Sequence, residues 1–474
     1  MLNALRGVTE RGEVQVEFGK YLEKCLKKHD ISLNSAANML GLNRGDLYHI
    51  IDSKRKLKPE AFKNLIESIR FTAEEERKLT KLFFVSFYGE SEFEKIEFII
   101  EKLNSFSSSL KTQEQKIGAF DKKFALSDSD EILSAVNHII IENSEKEIVT
   151  NYPFENIKMD ALFYSCCKKG EVKKFRHIVN FTNENSAKEN LMVLFSALKY
   201  FYNKHFLYYY YSDMKVENNS VYPYFVVGEK SAVLFNDKNG IYICDGKAVE
   251  DIRQRAEKLI EICNRLGEEM PDIFELKDTY VAAVMNGPDI YEICPIPCLM
   301  CYTDKDFFYS ICKSGLPNRD FLVNVANDHY SNINKVIRYN QYMTVEGLDF
   351  LFKERECLEM PSEYADRIPK QTLKRLFERL YEAVKQGNAR ILDNKKLNIP
   401  TNLQIEITAS GALIYGYIFH EGETTEKPFL VVIKDKSLIN SFKSLFDYLE
   451  RGDFVFSKEA ALAYVSNRIV SLEY

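Results

Sequence analysis

Tryptophan is absent from the 474 residues, and glycine (20), proline (12) and cysteine (10) are scarce. So little glycine and proline excludes collagen-like and low-complexity architectures. The cysteines are too few and too irregularly spaced for a disulfide framework, which points to a reducing cytoplasm. No apolar run approaches the roughly 18–20 residues of a membrane-spanning helix. Arg6, Glu10, Arg11 and Glu13 interrupt the beginning of the chain, so it carries no signal-peptide core and no membrane partner is expected. Catalytic signatures are missing too. The seven histidines form no His-x-x-x-His, His-Glu-x-x-His or His-x-Lys motif, and no P-loop, Gly-x-Gly-x-x-Gly or Gly-x-Ser-x-Gly occurs. The paired acids Glu354/Glu356 and Glu421/Glu423 read as solvated surface. Neither an enzyme nor a cofactor is expected.

What is present is ordinary globular material: 45% hydrophobic, 13% aromatic, 28% charged, with a formal net charge of −6. At roughly 100–200 residues per domain, this length predicts two to four domains. Mild overall acidity requires any nucleic-acid site to be a local basic patch.

Residues 18–88 are dense in helix signals. Phe18, Leu22, Cys25 and Leu26 recur at helical spacing. Ser32 can cap a helix from Leu33 to Leu40, which Gly41 ends. Asn43 can cap a third helix from Arg44 to about Asp52, and Pro59 opens a fourth that reaches about Ile69. Thr72 with Glu75 forms a capping-box pattern ahead of a fifth, Ala73 to about Tyr88. Between Val14 and Glu60 nine basic residues face six acidic ones, against the −6 of the whole chain.

The string Ser32-Leu-Asn-Ser-Ala-Ala-Asn-Met-Leu-Gly-Leu-Asn-Arg-Gly-Asp-Leu-Tyr-His-Ile-Ile51 resembles the helix-turn-helix of Cro/CI (XRE) repressors. The Ala-x-x-Leu-Gly turn and the apolar residues that follow carry the resemblance, which covers about residues 14–88. It implies an all-α, five-helix, lambda-repressor-like domain whose third helix enters the major groove of double-stranded DNA. Arg44, Gly45, Tyr48 and His49 would then lie at the bases, with Arg44 suited to a guanine edge. Asn34 and Ser35 would contact phosphates at the start of the second helix, Asn43 is a further DNA-contact candidate, and Lys54, Arg55, Lys56 and Lys58 would neutralise phosphates. Asp46 falls near this reading face, where it would repel phosphate, select a cytosine amino group, or instead pair within the domain.

Glu90–Lys116 reads as a linker helix followed by a Ser-rich joint. From 117 onward helices alternate with β-rich runs, which predicts an α/β (α+β) region with mixed sheet in two lobes. The expected division is 1–89 helix-turn-helix domain, 90–116 linker, 117–270 sensor or dimerisation domain, and 271–474 second α/β domain. The element order of the first lobe resembles degenerate phospholipase-D-like sensor domains, without their catalytic His-x-Lys. A β-like stretch is expected over Tyr291–Tyr302. A short echo between Tyr222–Val227 and Lys427–Val432 suggests related lobes.

Cys294, Cys298 and Cys301 have the C-x3-C-x2-C spacing of radical SAM enzymes, without that family's repeated strand–helix units or Gly-Gly-Glu strand. With Cys312 they are candidate metal or cluster ligands, and otherwise small apolar residues of a buried stretch. The main expectation is a cytoplasmic, homodimeric transcription regulator that binds DNA and senses a small molecule or peptide. The alternatives are a metal- or cluster-dependent redox sensor or enzyme, and a protein-interaction scaffold.

Overall fold

A computed structural model of the chain describes residues 17–109, 117–143, 146–171, 174–181, 187–201, 206–211, 221–269, 289–336, 338–357, 364–393, 395–401, 403–408, 411–416, 429–452 and 454–473. They fall into two units. The first holds the described residues up to Glu101 together with Ser441–Val455, and the second holds those of Lys102–Asn440 and Phe456–Tyr474. The sequence division ends the first unit near residue 89. The return of residues 441–455 is a long-range feature that local patterning does not encode.

In the first unit, helix α1 (17–28) buries Phe18, Leu22, Cys25 and Leu26 and exposes Lys20, Lys24 and Lys27. Short helices α2 (Leu33–Met39) and α3 (Arg44–Ile51) follow, then α4 (Pro59–Ser68), α5 (Ala73–Tyr88) and the start of α6 (Glu90–Ser109), whose residues from Lys102 onward belong to the second unit. Gly41 holds φ +64°, a left-handed conformation that costs glycine little and lets the chain turn between α2 and α3. Aromatic rings fill the centre: Phe62 stacks on Phe83 at 4.1 Å, and Phe18 meets Phe83 edge-on at 5.7 Å. Tyr448, distant in sequence, packs edge-on against Phe84 at 4.6 Å and Phe93 at 5.7 Å. Its neighbour Asp447 accepts the Tyr88 hydroxyl at 2.8 Å.

One carboxylate ties α1 to α5. Glu75, buried at the start of α5, accepts Lys28 Nζ at 2.6 Å and the Thr72 backbone N–H at 2.9 Å, and lies 2.9 Å from His29 Nε2. The Lys28 bond first, then His29 and Thr72, hold its carboxyl well below the usual carboxylate range. A depressed folded-state pKa contributes stability that is fully present above the ordinary value of 4.5 and is lost as pH falls through the folded-state value. Glu75→Gln is therefore expected to lower stability at neutral pH and to flatten its decline in acid. Unfolding midpoints measured between neutrality and strong acid check this, and parallel declines for both proteins would contradict it.

The second unit contains two mixed sheets, so the chain is a multidomain α+β protein. The first sheet comprises β1 (Ala125–Leu126), β2 (Glu147–Thr150), β3 (Lys174–Phe181), β4 (Phe206–Tyr211), β5 (Tyr224–Val227), β6 (Ala232–Phe235), β7 (Gly240–Ile243) and β8 (Asn264–Arg265). Its order is β1-β7-β6-β5-β2-β3-β4-β8. Helix α7 (Ser129–Glu142) precedes β2, while α8 (Ile157–Lys168) and α9 (Ala187–Phe201) connect the parallel trio β2, β3, β4. An antiparallel meander, β5-β6-β7, then starts beside β2. Helix α10 (Gly246–Ile262) covers one face through Val249 and Ala256, which pack with Val149, Ile178 and Val227. Strand β8 then returns antiparallel to β4.

The second sheet repeats this plan. It comprises β9 (Gly267–Glu269), β10 (Asp289–Ile293), β11 (Arg338–Thr344), β12 (Ala389–Leu392), β13 (Leu403–Ile407), β14 (Ala412–Gly416) and β15 (Phe429–Ile433), ordered β12-β11-β10-β13-β14-β15-β9. Strands β10, β11 and β12 are parallel, and the meander β13-β14-β15 starts antiparallel beside β10. Four helices, α11 (Lys305–Ile311), α12 (Arg319–Val336), α13 (Val345–Glu354) and α14 (Lys370–Gln386), lie between the parallel strands. After α15 (Lys436–Arg451) the chain comes back to the edge of β12, where Phe456 N–H donates to Ile391 O at 2.8 Å. Helix α16 (Lys458–Ser471) packs through Ala461 and Val465 into the core that includes Leu376, Phe377 and Ile391.

Six strands in the same order and the same relative directions, each set followed by a helix and an edge return, describe a duplicated fold. The sequence echo does not mark it. Tyr224–Val227 opens the first meander, whereas Phe429–Ile433 closes the second, so the two segments occupy different places in the repeat. The strand expected over Tyr291–Tyr302 is also shorter than the pattern suggested. The strand ends at Ile293, one last bond following as Cys294 N–H donates to Tyr342 O at 2.9 Å, and a 3-10 turn occupies Leu299–Tyr302. Pro295 and Pro297 have no N–H to continue the ladder.

Candidate nucleic-acid interface

Short-range capping builds the two helices that carry the candidate residues. The Ser32 hydroxyl accepts the Ser35 backbone N–H at 3.1 Å, and Asn43 Oδ1 accepts that of Asp46 at 2.8 Å. Both helices are then pinned from below. Ala36 and Ala37 of α2 and Leu47, Ile50 and Ile51 of α3 are buried.

The outer face of α3 is what remains. Arg44, Gly45, Tyr48 and His49 are exposed, Tyr48 to 53% despite its aromatic ring. Arg44, Tyr48 and His49 make no side-chain hydrogen bond or ion pair among the described residues, so their donors and the tyrosine ring are open to a partner. Asn34 is exposed and Ser35 half-buried at the start of α2.

Other candidates are already engaged. Asn43 uses both ends of its amide on α3, since Nδ2 donates to Asp46 Oδ2 at 2.8 Å while Oδ1 caps the helix. The other Asp46 oxygen accepts Arg55 Nη1. Of the alternatives open for Asp46, the structure has it paired within the domain, with both carboxylate oxygens occupied. Arg55 keeps its remaining N–H groups for other acceptors.

Past α3, Ser53 adopts φ +63°. This turn lets the His49 carbonyl accept the Lys54 and Arg55 backbone N–H groups at 2.7 and 3.1 Å, and it carries the basic segment around the end of the helix. Lys54, Arg55 and Lys56 are exposed there; Lys54 pairs with Asp52 at 3.2 Å, a solvent-exposed contact of small energy. Lys56 Nζ sits 5.9 Å from the centre of the Phe87 ring.

The cysteine candidates lie elsewhere. Cys294 is buried and its thiol donates to Ile296 O at 2.7 Å, while Cys298 is half-buried. Cys312 is buried at the end of α11, and the Cys301 side chain lies outside the described residues. No grouping of three or more metal-ligating side chains occurs among the described residues.

Sequence reading missed two buried polar networks of the second unit. Glu292 and Glu406 stand opposite each other on β10 and β13, both buried. Gln404 Nε2 donates to both carboxylates, Gln341 Nε2 donates to Glu292 at 2.8 Å, and the Tyr302 hydroxyl donates to Gln341. In the first lobe the Tyr152 and Tyr200 hydroxyls meet at 2.9 Å, and Tyr200 donates to Asp160 at 2.6 Å. His177, buried beside Tyr152, has its pKa lowered to about 3 by desolvation. Networks of this kind cost stability when broken and favour one register over others. The available signal was a carboxylate inside apolar alternation, as in Asp289-Ile-Tyr-Glu-Ile293 and Leu403-Gln-Ile-Glu-Ile407.

No protein-family model matches the chain, and no curated protein does. No helix among the described residues is long and apolar enough to cross a membrane.

Proposed function

We propose that the first unit is a sequence-specific DNA-binding domain of helix-turn-helix type, similar to Cro/CI repressors, and that the chain regulates transcription. One observation carries the reading: α3 buries Leu47, Ile50 and Ile51 and leaves Arg44, Tyr48 and His49 exposed and unengaged. A helix pinned on one face and open on the other is what a major groove admits. The basic segment 54–56 at its end supplies charge for phosphates. The second unit serves ligand sensing, dimerisation or both, with a small molecule or peptide as the ligand class. Dimerisation follows from energetics, because one such module buries little surface and tight binding uses two half-sites.

The test is retention of duplex DNA by the purified chain as salt is varied. Log affinity is expected to fall linearly with log salt, and Lys54→Ala with Lys56→Ala is expected to weaken all sequences alike and flatten that slope by roughly one to two units. No retention of any duplex at low salt would favour a protein-binding role for the same helices.

A further inference from the structure

We infer that Arg451, at the carboxy-terminal end of α15, is a further phosphate contact of the first unit, so that its DNA-facing surface draws on both ends of the chain. The inference rests on the DNA-binding reading above. Its basis is the ring of Phe87, which two cations share: the Arg451 guanidinium carbon lies 5.0 Å from the ring centre and Lys56 Nζ 5.9 Å from it. Residue 451 is thereby brought beside the basic segment that follows α3. A nucleic-acid backbone charged at every nucleotide can engage both cations within a few phosphates.

The guanidinium is held as a presented group rather than a drifting one. Its Nε donates to both Asp447 oxygens, at 2.8 and 2.9 Å. Asp447 is itself fixed by the Tyr88 hydroxyl at 2.8 Å. With Nε and the ring face occupied, the Nη groups form the open end of the fork and have no partner among the described residues. A planar fork of N–H donors matches phosphate oxygens in a way an ammonium does not. The side chain is 38% exposed. Acids also face the region, Asp447 directly and Glu60 through its field. They offset part of the positive charge, so the expected contribution is one contact and not a dominant one.

The test uses the full-length chain and a fluorescently labelled duplex of mixed sequence, with anisotropy titrations at several salt concentrations. Arg451→Gln is expected to weaken binding and reduce the salt slope by about one unit. Arg451→Lys keeps the charge without the fork and is expected to retain the slope while binding several-fold more weakly. Lys56→Ala serves as the reference. If Lys56→Ala flattens the slope and Arg451→Gln leaves both slope and affinity unchanged, this inference fails and the DNA-binding reading stands. If the wild-type chain retains no duplex at low salt, both fail. Should Arg451→Gln lower the thermal unfolding midpoint, Arg451→Lys decides: affinity equal to wild type overturns the phosphate contact, and weaker binding at unchanged slope supports it.

Discussion

Replacing Gly19 with alanine is expected to destabilise the first unit by about 2 kcal/mol or more and to weaken the proposed DNA binding with it. Two effects oppose each other. In a helix interior alanine is favoured over glycine by about 1 kcal/mol, so α1 taken alone would gain. Against this, a Cβ on Gly19 would stand 2.1 Å from the Ile51 carbonyl oxygen and 2.8 Å from its carbon. Both are backbone atoms at the end of α3, and no flexible side chain is present to move aside. Helix α1 must back away, opening the packing of Phe18 and Leu22 and freeing the end of the helix proposed to read DNA. The clash wins. Gly45→Ala is the contrasting control, because its Cβ would meet only Asn43 Oδ1, at 3.3 Å. Urea unfolding followed by circular dichroism measures both. A Gly19→Ala protein more stable than wild type would mean that α1 does not approach α3 this closely.

How much of this was legible depended on the distance over which each feature is decided. The caps at Ser32, Asn43 and Thr72 and the turn at Gly41 are settled within four residues, and the helices they begin stand where the sequence put them. Strands of apolar alternation, such as Tyr224–Val227 and Leu403–Ile407, were equally plain. Strand β11 was not anticipated: Arg-Tyr-Asn-Gln-Tyr-Met-Thr reads as polar, and Gln341 is buried only because Glu292 and Tyr302 come from elsewhere to meet it. Tyr448 joining Phe84 and Phe93 is a pairing across some 350 positions that no local pattern carries. At the candidate site the sequence points to Arg44, Tyr48 and His49, but the engagement of Asn43 and Arg55 by Asp46 is a feature of the folded domain.

The other large effect concerns specificity. Arg44 begins α3, is exposed, and makes no side-chain hydrogen bond or ion pair among the described residues. If its guanidinium grips a guanine edge in the proposed complex, Arg44→Ala is expected to lose about 1–3 kcal/mol at that base pair. That is roughly a 5- to 150-fold loss on the preferred site, with little change on unrelated duplexes. The pattern differs from that of a phosphate contact, whose removal weakens every sequence together. Tyr48 and His49, also facing outward, are expected to tune neighbouring positions with smaller effects.

The most direct measurement is selection from a pool of random duplexes by the purified full-length protein, read by sequencing and run in parallel with Arg44→Ala. The expected result is enrichment of a two-fold related motif with half-sites about one helical turn apart, losing preference at one position per half-site in the variant. A wild-type protein that enriches nothing, or an Arg44→Ala protein that enriches the same motif as strongly, would contradict the assignment of α3 as the reading helix.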